Sequence, residues 1–334
     1  MILKRLLIVL APLALLAGCS GEAPREEARS EVTLTEWLVP WEASRPRDPF
    51  VEAPGKIWFV GQRDGYLAYF NPALEEFTQI QLAEGSGPHN IIIDDEGAAW
   101  YAGNVMGWIG RFTPDGGLTT IQMPADAFDP HTLIEDGKGN IWFTAQGANS
   151  IGLLDKTSLT LRIFPVPTLG ARPYGITVDQ DGKPWIALFG TNKIATIDLE
   201  TLVLSEVELP RDGARPRRIE ATSDGMIWYV DYAGGYLGRY DPDDGNFEEW
   251  PMPGGAGSQP YGMAVDAKDR IWFVEVGPKP NRFIGFDPGI KSFFSITEIE
   301  SGGGAVRHMM YHSPTNTIWF GTDANTLGRA ELPD

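Results

Sequence analysis

The sequence predicts an all-β fold: a seven-bladed β-propeller with four-stranded blades, in which an N-terminal strand closes the last blade. Three observations lead to this prediction. A tryptophan-centred repeat recurs seven times at intervals of 42 to 47 residues. Short alternating runs between Gly, Pro, Asp and Asn fill each interval, and no long run has the helical period. Seven copies at such a period are typical of a propeller. The tryptophans are Trp58, Trp100, Trp142, Trp185, Trp228, Trp272 and Trp319.

Each repeat has the same internal order. The copy PHNIIIDDEGAAWYAG, residues 88–103, reads as a proline-led turn, a first strand, a tight hairpin and a second strand around the tryptophan. A third strand ends in Asp-Pro or a similar turn, as in GYLGRYDPDDG, and a fourth ends at a proline, as in EVELP. The regular tryptophan spacing indicates packing between blades rather than a ligand cage.

The two ends of the domain are predicted to share a blade. The last copy stops at NTLGRAELPD, after its third strand. The segment TLTEWLVP, residues 33–40, reads as a fourth strand that has no blade before it. Pairing the two removes the exposed edges that an open ring would present. Residues 33–334 are therefore predicted to form one propeller domain.

Residues 1–18 resemble a bacterial lipoprotein signal peptide. Two basic residues precede an apolar stretch too short for a lasting membrane anchor, and the segment ends before Cys19, the only cysteine. The resemblance implies cleavage before Cys19 and lipid attached to it, with residues 19–32 as a flexible tether. In the Gram-negative sorting rule that this segment resembles, a serine rather than an aspartate after the cysteine implies the outer membrane, facing the periplasm. The alternative is an ordinary secretory signal with an incidental cysteine.

The chain is strongly acidic. Without residues 1–18 it has 25 Lys and Arg against 45 Asp and Glu. This balance argues against nucleic acid as a partner and against broad binding to anionic membranes. We expect a monomer whose membrane contact is through the N-terminal lipid. No phosphate-binding loop, nucleophile elbow or zinc motif appears in the sequence.

The candidate site lies at the positions eleven residues before each tryptophan, at the entry to each innermost strand. Three of the four histidines fall on these positions, and arginines and tyrosines occupy the others. Arg45, Arg172 and Arg215 lie two residues before such positions. A locally basic funnel that binds a small anionic ligand is therefore predicted at the channel mouth; the alternative for any one histidine is a structural role between blades. The seven positions hold Arg47, His89, His131, Tyr174, Arg217, Tyr261 and His308.

Carboxylates are sparse around this funnel. The residue three after each tryptophan should return to the same face, which brings Asp231 and Glu275 there. Asp129 lies two residues before His131. Asp129 and Glu275 are the candidate metal ligands.

The repeats resemble those of the streptogramin B lyase (virginiamycin B lyase) family of seven-bladed propellers. The resemblance covers residues 33–334 and rests on GPHNIIIDDEGAAWYAG, DPHTLIEDGKGNIWFTAQGANSIG and QPYGMAVDAKDRIWFVE. It implies a lyase that opens an ester by elimination. In the family, ring histidines on adjacent blades act with Mg²⁺ held by acids.

The family's site matches this sequence only in part. In chain order, the second family histidine falls on His308, but the acids that accompany it are replaced by Val306 and Thr322. By local pattern, His89, Asp129 and His131 match histidine, acid and histidine, with an alanine at the last acid. Both alignments stay open, and neither completes a Mg²⁺ site, since Mg²⁺ wants several oxygen ligands. Mg²⁺ is therefore a possible cofactor with an incomplete ligand set.

Three functions follow as expectations. The first is an envelope-anchored lyase acting on an anionic or ester-bearing small molecule, in which His308, His131 or His89 takes a proton alpha to a carbonyl. The second is a non-catalytic propeller that binds a ligand or a protein. The third is a gluconolactonase-like hydrolase, which needs a metal held by several axial carboxylates. The substrate-binding candidates are Arg47, Tyr174, Arg215, Arg217 and Tyr261.

Overall fold

The computed structural model describes residues 31–334 and contains seven four-stranded antiparallel sheets. Strand β1 (Thr33–Leu38) belongs to the last sheet. Blade 1 is β2 (Pro46–Ala53), β3 (Lys56–Gly61), β4 (Tyr66–Asn71) and β5 (Glu76–Gln81). Blade 2 is β6 (Pro88–Ile93), β7 (Ala99–Gly103), β8 (Trp108–Phe112) and β9 (Leu118–Gln122). Blade 3 is β10 (Pro130–Glu135), β11 (Asn140–Ala145), β12 (Ser150–Asp155) and β13 (Leu161–Pro165).

The other blades follow the same order. Blade 4 is β14 (Pro173–Val178), β15 (Pro184–Leu188), β16 (Lys193–Ile197) and β17 (Leu204–Glu208). Blade 5 is β18 (Pro216–Ala221), β19 (Ile227–Asp231), β20 (Tyr236–Tyr240) and β21 (Phe247–Pro251). Blade 6 is β22 (Pro260–Val265), β23 (Ile271–Glu275), β24 (Arg282–Asp287) and β25 (Ser292–Glu298). Blade 7 is β26 (Val306–His312), β27 (Thr317–Thr322), β28 (Thr326–Glu331) and β1.

The sheets form a closed ring, because each innermost strand contacts the next and β26 contacts β2. The seven-bladed fold is therefore confirmed. All seven repeat tryptophans are buried, and five of them donate the indole N–H to a side chain six residues earlier in the hairpin. The described helices are single-turn 3₁₀ segments, Ala125–Ala127, Gly255–Gly257 and Ser313–Thr315. No helix in residues 31–334 is long and apolar enough to cross a membrane.

The predicted closure by the N-terminal strand is also confirmed. β1 pairs antiparallel with β28, from Thr33 opposite Glu331 to Leu38 opposite Thr326. Val32, the last residue of the predicted tether, is buried, and its N–H donates to Thr297 Oγ1 at 2.9 Å. The signal peptide, Cys19 and the tether up to residue 30 lie outside the described residues and stay predictions.

Every innermost strand carries a bulge near its start. In blade 3, Pro130 is opposite Ala145 and Ile134 is opposite Trp142, so β10 has one more residue than β11 over this stretch. The same extra residue occurs in the other six blades. A bulge leaves a residue unpaired and bends the strand. As a result, two successive residues of each innermost strand contribute to contacts in the central channel.

Blade 7 departs from the predicted spacing by one residue. Its tryptophan, Trp319, is opposite Met310, nine residues earlier, whereas Trp142 is opposite Ile134, eight earlier. The difference lies in the β26–β27 hairpin, which contains the 3₁₀ turn Ser313–Thr315. Counting eleven residues back from Trp319 therefore stops one residue short of the strand-entry position, which is twelve residues back. The residue equivalent to His131 in blade 7 is Arg307, and His308 occupies the next position.

Candidate functional site

The start of the seven innermost strands forms two stacked sets of side chains, which we call the upper and lower rings. The upper ring holds the first residue after each strand's opening proline, or after Val306 in blade 7. The lower ring holds the residue that follows. The upper ring is Arg47, His89, His131, Tyr174, Arg217, Tyr261 and Arg307. The lower ring is Asp48, Asn90, Thr132, Gly175, Arg218, Gly262 and His308.

The upper-ring side chains contact one another in an arc from blade 1 to blade 6. Arg47 Nη1 lies 2.7 Å from His89 Nε2. The rings of His89 and His131 follow, with centroids 3.7 Å apart, and Tyr174 lies 4.2 Å beyond His131. The hydroxyls of Tyr174 and Tyr261 then hydrogen-bond to each other. The sequence therefore placed six of the seven upper-ring residues correctly.

The surroundings of the two histidines in this arc favour the neutral imidazole. Burial lowers the pKa of His89 well below its usual value, and the charge of Arg47 lowers it further. Burial also lowers the pKa of His131 well below its usual value, again assisted by Arg47. Because an arginine side chain can only donate hydrogen bonds, His89 Nε2 accepts the one from Arg47. The single N–H of the neutral His89 ring therefore lies on Nδ1. That Nδ1 is buried without a hydrogen-bond partner.

Arg217 lies in an aromatic cluster at the channel mouth. Its guanidinium carbon is 3.7 Å from the ring centre of Tyr261, and 4.3, 4.5 and 5.1 Å from those of Tyr232, Phe189 and Tyr174. Arg217 is only half-buried, and it forms no ion pair with a carboxylate of residues 31–334. By contrast, Arg307 and Arg45 both pair with Asp323. The mouth therefore carries surplus positive charge, as predicted.

The lower ring is held together by a buried carboxylate. Asn90 Nδ2 donates to Asp48 Oδ2 at 3.1 Å, and Arg218 Nη2 lies 3.6 Å from the same oxygen. Burial would raise the pKa of Asp48, but the charges of Arg47 and Arg218 hold it at about 2. Arg218 crosses the channel, because its Nε donates to the carbonyl of Arg307 at 2.8 Å. Burial and Arg218 lower the pKa of His308 to about 4.

A cavity of about 260 Å³ lies further along the channel, lined by innermost strands of all seven blades. Its walls are largely apolar, with His308 and Glu220 among the polar groups. Glu220 is half-buried and lines this cavity. Its carboxylate accepts a hydrogen bond from Thr177 Oγ1 at 3.3 Å, and burial raises its pKa to about 7. His308 therefore belongs to the cavity side of the rings rather than to the upper ring.

The two candidate metal ligands do not fit a magnesium site. Asp129 accepts hydrogen bonds from the backbone N–H groups of Gly147 and Ala148, so it closes the β11–β12 turn. Glu275 is fully buried, accepting from Gly254 N–H at 2.8 Å and from the Arg282 guanidinium. The two residues lie on blades 3 and 6. Within residues 31–334 no group of three or more His, Cys, Asp or Glu side chains could hold a metal ion.

The substrate-binding candidate Arg215 makes its hydrogen bonds outside the upper ring. Its Nη1 donates to the carbonyls of Asp212 and Ala214, in its own loop, rather than entering the upper ring. Asp231, predicted to return to the mouth, accepts from the N–H of Arg215 and from Arg211 Nη2, both at 2.8 Å. These contacts stabilise the loop before β18.

Sequence reasoning missed four charged residues of the two rings and the cavity. Asp48 and Arg218 each directly follow a predicted ring residue. They were missed because only one position per blade, eleven residues before each tryptophan, was assigned to the ring. Arg307 was missed because of the longer hairpin in blade 7. Glu220 lies on β18 opposite Trp228, among positions that are apolar in most blades. The charge of Glu220 at a position that is apolar in most blades is the sequence feature that could have identified it.

A family model described as the virginiamycin B lyase family matches residues 32–330. The chain belongs to this family. No curated protein matches it.

Solved structures of the virginiamycin B lyase family superpose over most of the chain. A virginiamycin B lyase from Staphylococcus aureus has a TM-score of 0.82 at 23% identity, and the superposition covers 91% of this chain and 100% of that enzyme. A streptogramin B lyase has a TM-score of 0.81 at 22% identity, covering 90% and 98%. A catalytically inactive histidine-to-alanine variant of the Staphylococcus aureus enzyme, with quinupristin, has a TM-score of 0.80 at 24% identity, covering 91% and 100%. At these identities the likeness is one of fold.

Proposed function

We propose that this chain is a lyase that binds an anionic, ester-bearing small molecule at the channel mouth and cleaves it by elimination. The observation that carries the proposal is Arg217: a half-buried guanidinium with no carboxylate partner in the described part of the chain. Its Nε is buried without a hydrogen-bond partner. An unpaired guanidinium is suited to a carboxylate or an enolate oxygen, which it can bind through two parallel N–H groups.

The chemistry follows from the charges around the mouth. A proton acceptor of the upper ring removes the proton on the carbon alpha to a carbonyl. The electrons of that C–H bond form a C=C bond, the beta C–O bond breaks, and the leaving carboxylate takes the bond electrons. Negative charge develops on the carbonyl oxygen, and the guanidinium of Arg217, which has no carboxylate partner in residues 31–334, stabilises it. No step is assigned to a metal, since Asp129 and Glu275 are already occupied by protein donors.

A non-catalytic binding propeller is the second candidate. It is supported by the close packing of the upper ring, in which His89, His131, Tyr174 and Tyr261 are all less than 6% exposed. A gluconolactonase-like hydrolase has weaker support, because it requires several carboxylates on the axis. As for location, the N-terminal sequence supports anchoring in the cell envelope through lipid on Cys19.

The decisive experiment compares elimination with binding. The probes are quinupristin, N-acetyl-O-acetylthreonine amide and its O-succinyl analogue, which adds a carboxylate. We expect the parent protein to convert a probe to the unsaturated amide and the free acid, without oxygen from isotope-labelled water entering either product. Since a hydrogen bond to a charged group contributes about 1.5–3 kcal/mol, Arg217→Gln should weaken binding of the O-succinyl probe by about 10- to 100-fold.

The matched control is Arg162→Gln, which removes an exposed arginine far from the channel. It should leave binding unchanged. The effect of Arg217→Gln should be largest at low salt, where charge attraction is least screened. Binding of a probe without product would instead make the chain a binding module. Equal affinity of the parent and Arg217→Gln for the O-succinyl probe would show that the channel mouth is not the anion-binding site.

A further inference from the structure

We propose that the hydrogen-bonded phenols of Tyr174 and Tyr261, rather than a histidine, form the proton acceptor of this elimination; the inference rests on the proposed function. The two residues come from blades 4 and 6 and meet across the channel mouth through their hydroxyls. No carboxylate of residues 31–334 makes a hydrogen bond or an ion pair with either hydroxyl. The pair can therefore hold one proton between two oxygens and carry one negative charge.

Guanidiniums around the pair stabilise that charge. The Arg217 guanidinium carbon lies 3.7 Å from the ring centre of Tyr261 and 5.1 Å from that of Tyr174, and the Arg218 carbon lies 5.5 Å from the latter. Opposite charges at such distances in a buried site favour the ionised phenol. The titratable or charged groups facing the pair from neighbouring elements are Arg47, His131, Arg217, Arg218, Tyr232 and Arg307.

The phenols differ in how readily they ionise. Burial opposes ionisation of Tyr174, but Arg217, Arg47 and Arg218 lower its pKa to about 8. Burial and the neighbouring Tyr174 raise the pKa of Tyr261 above its ordinary value. Because they share a hydrogen bond, the first proton lost belongs to the pair rather than to either residue. Near neutral pH the pair can thus provide a phenolate hydrogen-bonded to a phenol.

The histidines are placed less well for the same task. The acceptor nitrogen of His89 is engaged by Arg47 at 2.7 Å. His308 belongs to the lower ring and lines the cavity beyond it. His131 has Nδ1 2.9 Å from Thr132 Oγ1 and is the remaining histidine candidate. Its strongly lowered pKa makes it a weaker base than a phenolate.

The phenolate oxygen forms an O–H bond with the alpha proton, the C–H electrons become the C=C bond, and the ester carboxylate leaves with the electrons of the broken C–O bond. The resulting phenol–phenol pair returns its proton to water. Arg217, Phe189 and Tyr232 are the half-buried side chains in contact with the pair, and a substrate would reach it past them.

The first test needs no substrate. Ultraviolet difference titration of the full chain should detect one phenolate with a midpoint of about 8. The double variant Tyr174→Phe/Tyr261→Phe should lack this step. Arg217→Gln keeps both phenols and should move the step to higher pH, because a stabilising charge is lost. Tyr69→Phe, on β4, is the matched control and should leave it in place. Absence of any step below the ordinary tyrosine value of about 10 overturns the proposal.

The second test separates this role from the proposed function. Turnover of the O-succinyl probe should rise with pH through the phenolate step. The double variant should lose about 100-fold or more in kcat while its affinity for the probe is kept, since general-base catalysis contributes roughly that much. Undiminished turnover in the double variant, with loss in His131→Gln, overturns the tyrosine assignment but keeps the lyase. Failure of the parent to convert any of the three probes overturns the lyase, and the phenolate loses its catalytic role.

Discussion

At the scale of single residues, a buried and a half-buried carboxylate show how neighbours decide charge. Asp48 lies among arginines and receives an amide N–H from Asn90, so its pKa is held at about 2. Glu220, two residues after Arg218, faces an apolar cavity, and burial raises its pKa to about 7. The first carboxylate stabilises the lower ring as an anion. The second destabilises the folded protein whenever it is ionised.

Glu220→Gln should therefore stabilise the protein in a pH-dependent way. The pKa of Glu220 rises from 4.5 in the unfolded chain to about 7 in the folded protein. Its contribution to stability is therefore fully present below pH 4.5 and is lost as the pH rises through about 7. A shift of this size corresponds to at most about 3 kcal/mol. The free energy of unfolding in urea should increase by up to that amount near pH 8 and stay unchanged near pH 4.

The exposed Glu84→Gln is the control for this prediction and should show no such difference. An equal effect of Glu220→Gln at both pH values would mean that its carboxyl keeps an ordinary pKa in the folded protein.

At the scale of elements, the bulged innermost strands determine which side chains meet on the axis. Each bulge directs two consecutive residues toward the channel, and two blades have glycine at the second of these positions. A Cβ at Gly262 would lie 3.0 Å from Met309 Cγ, and one at Gly175 would lie 2.9 Å from Arg218 Cα. Glycines in blades 4 and 6 thus leave room for the innermost strand of the next blade.

Gly175→Ala should disturb this packing directly. The added Cβ would lie 2.7 Å from the carbonyl oxygen of Arg217, which is backbone and cannot rotate away. We expect a loss of about 1–3 kcal/mol in the free energy of unfolding, measured in urea. Gly213→Ala is the matched control, since a Cβ there meets nothing within 4 Å. Equal stability of the two variants would show that the strands can separate without cost.

At the scale of the whole molecule, the sequence predicted more of the fold than of the site. Seven regularly spaced tryptophans specify blades because each is needed to fill the space between sheets. Ring chemistry depends instead on single-residue offsets. One extra residue in the β26–β27 hairpin replaces His308 by Arg307 in the upper ring. Whether Asp129 and Glu275 were free could not be read from spacing, since their partners come from neighbouring turns and strands.

Closure of the propeller depends on one short strand. β1 covers the otherwise exposed edge of β28, and Trp37 stacks on Trp319 with ring centroids 5.6 Å apart. Trp37 also packs on Phe70 of blade 1 at 5.1 Å, so the segment joins the first and last blades. A chain that begins at residue 41 loses these contacts and leaves an unpaired edge, which is prone to pair with other copies.

We therefore expect the chain that begins at residue 41 to lose at least about 3 kcal/mol in the free energy of unfolding, since removal of a packed tryptophan alone costs about that much. It should also self-associate in size-exclusion chromatography. Adding the peptide of residues 31–40 should restore a monomer and protect the β28 amides from hydrogen exchange, because the peptide can take the place of β1. A chain that begins at residue 31 is the control and keeps the closing strand. If the chain from residue 41 unfolds at the same urea concentration as that control and stays monomeric, the ring closes through the innermost strands alone, and β1 is only a cover.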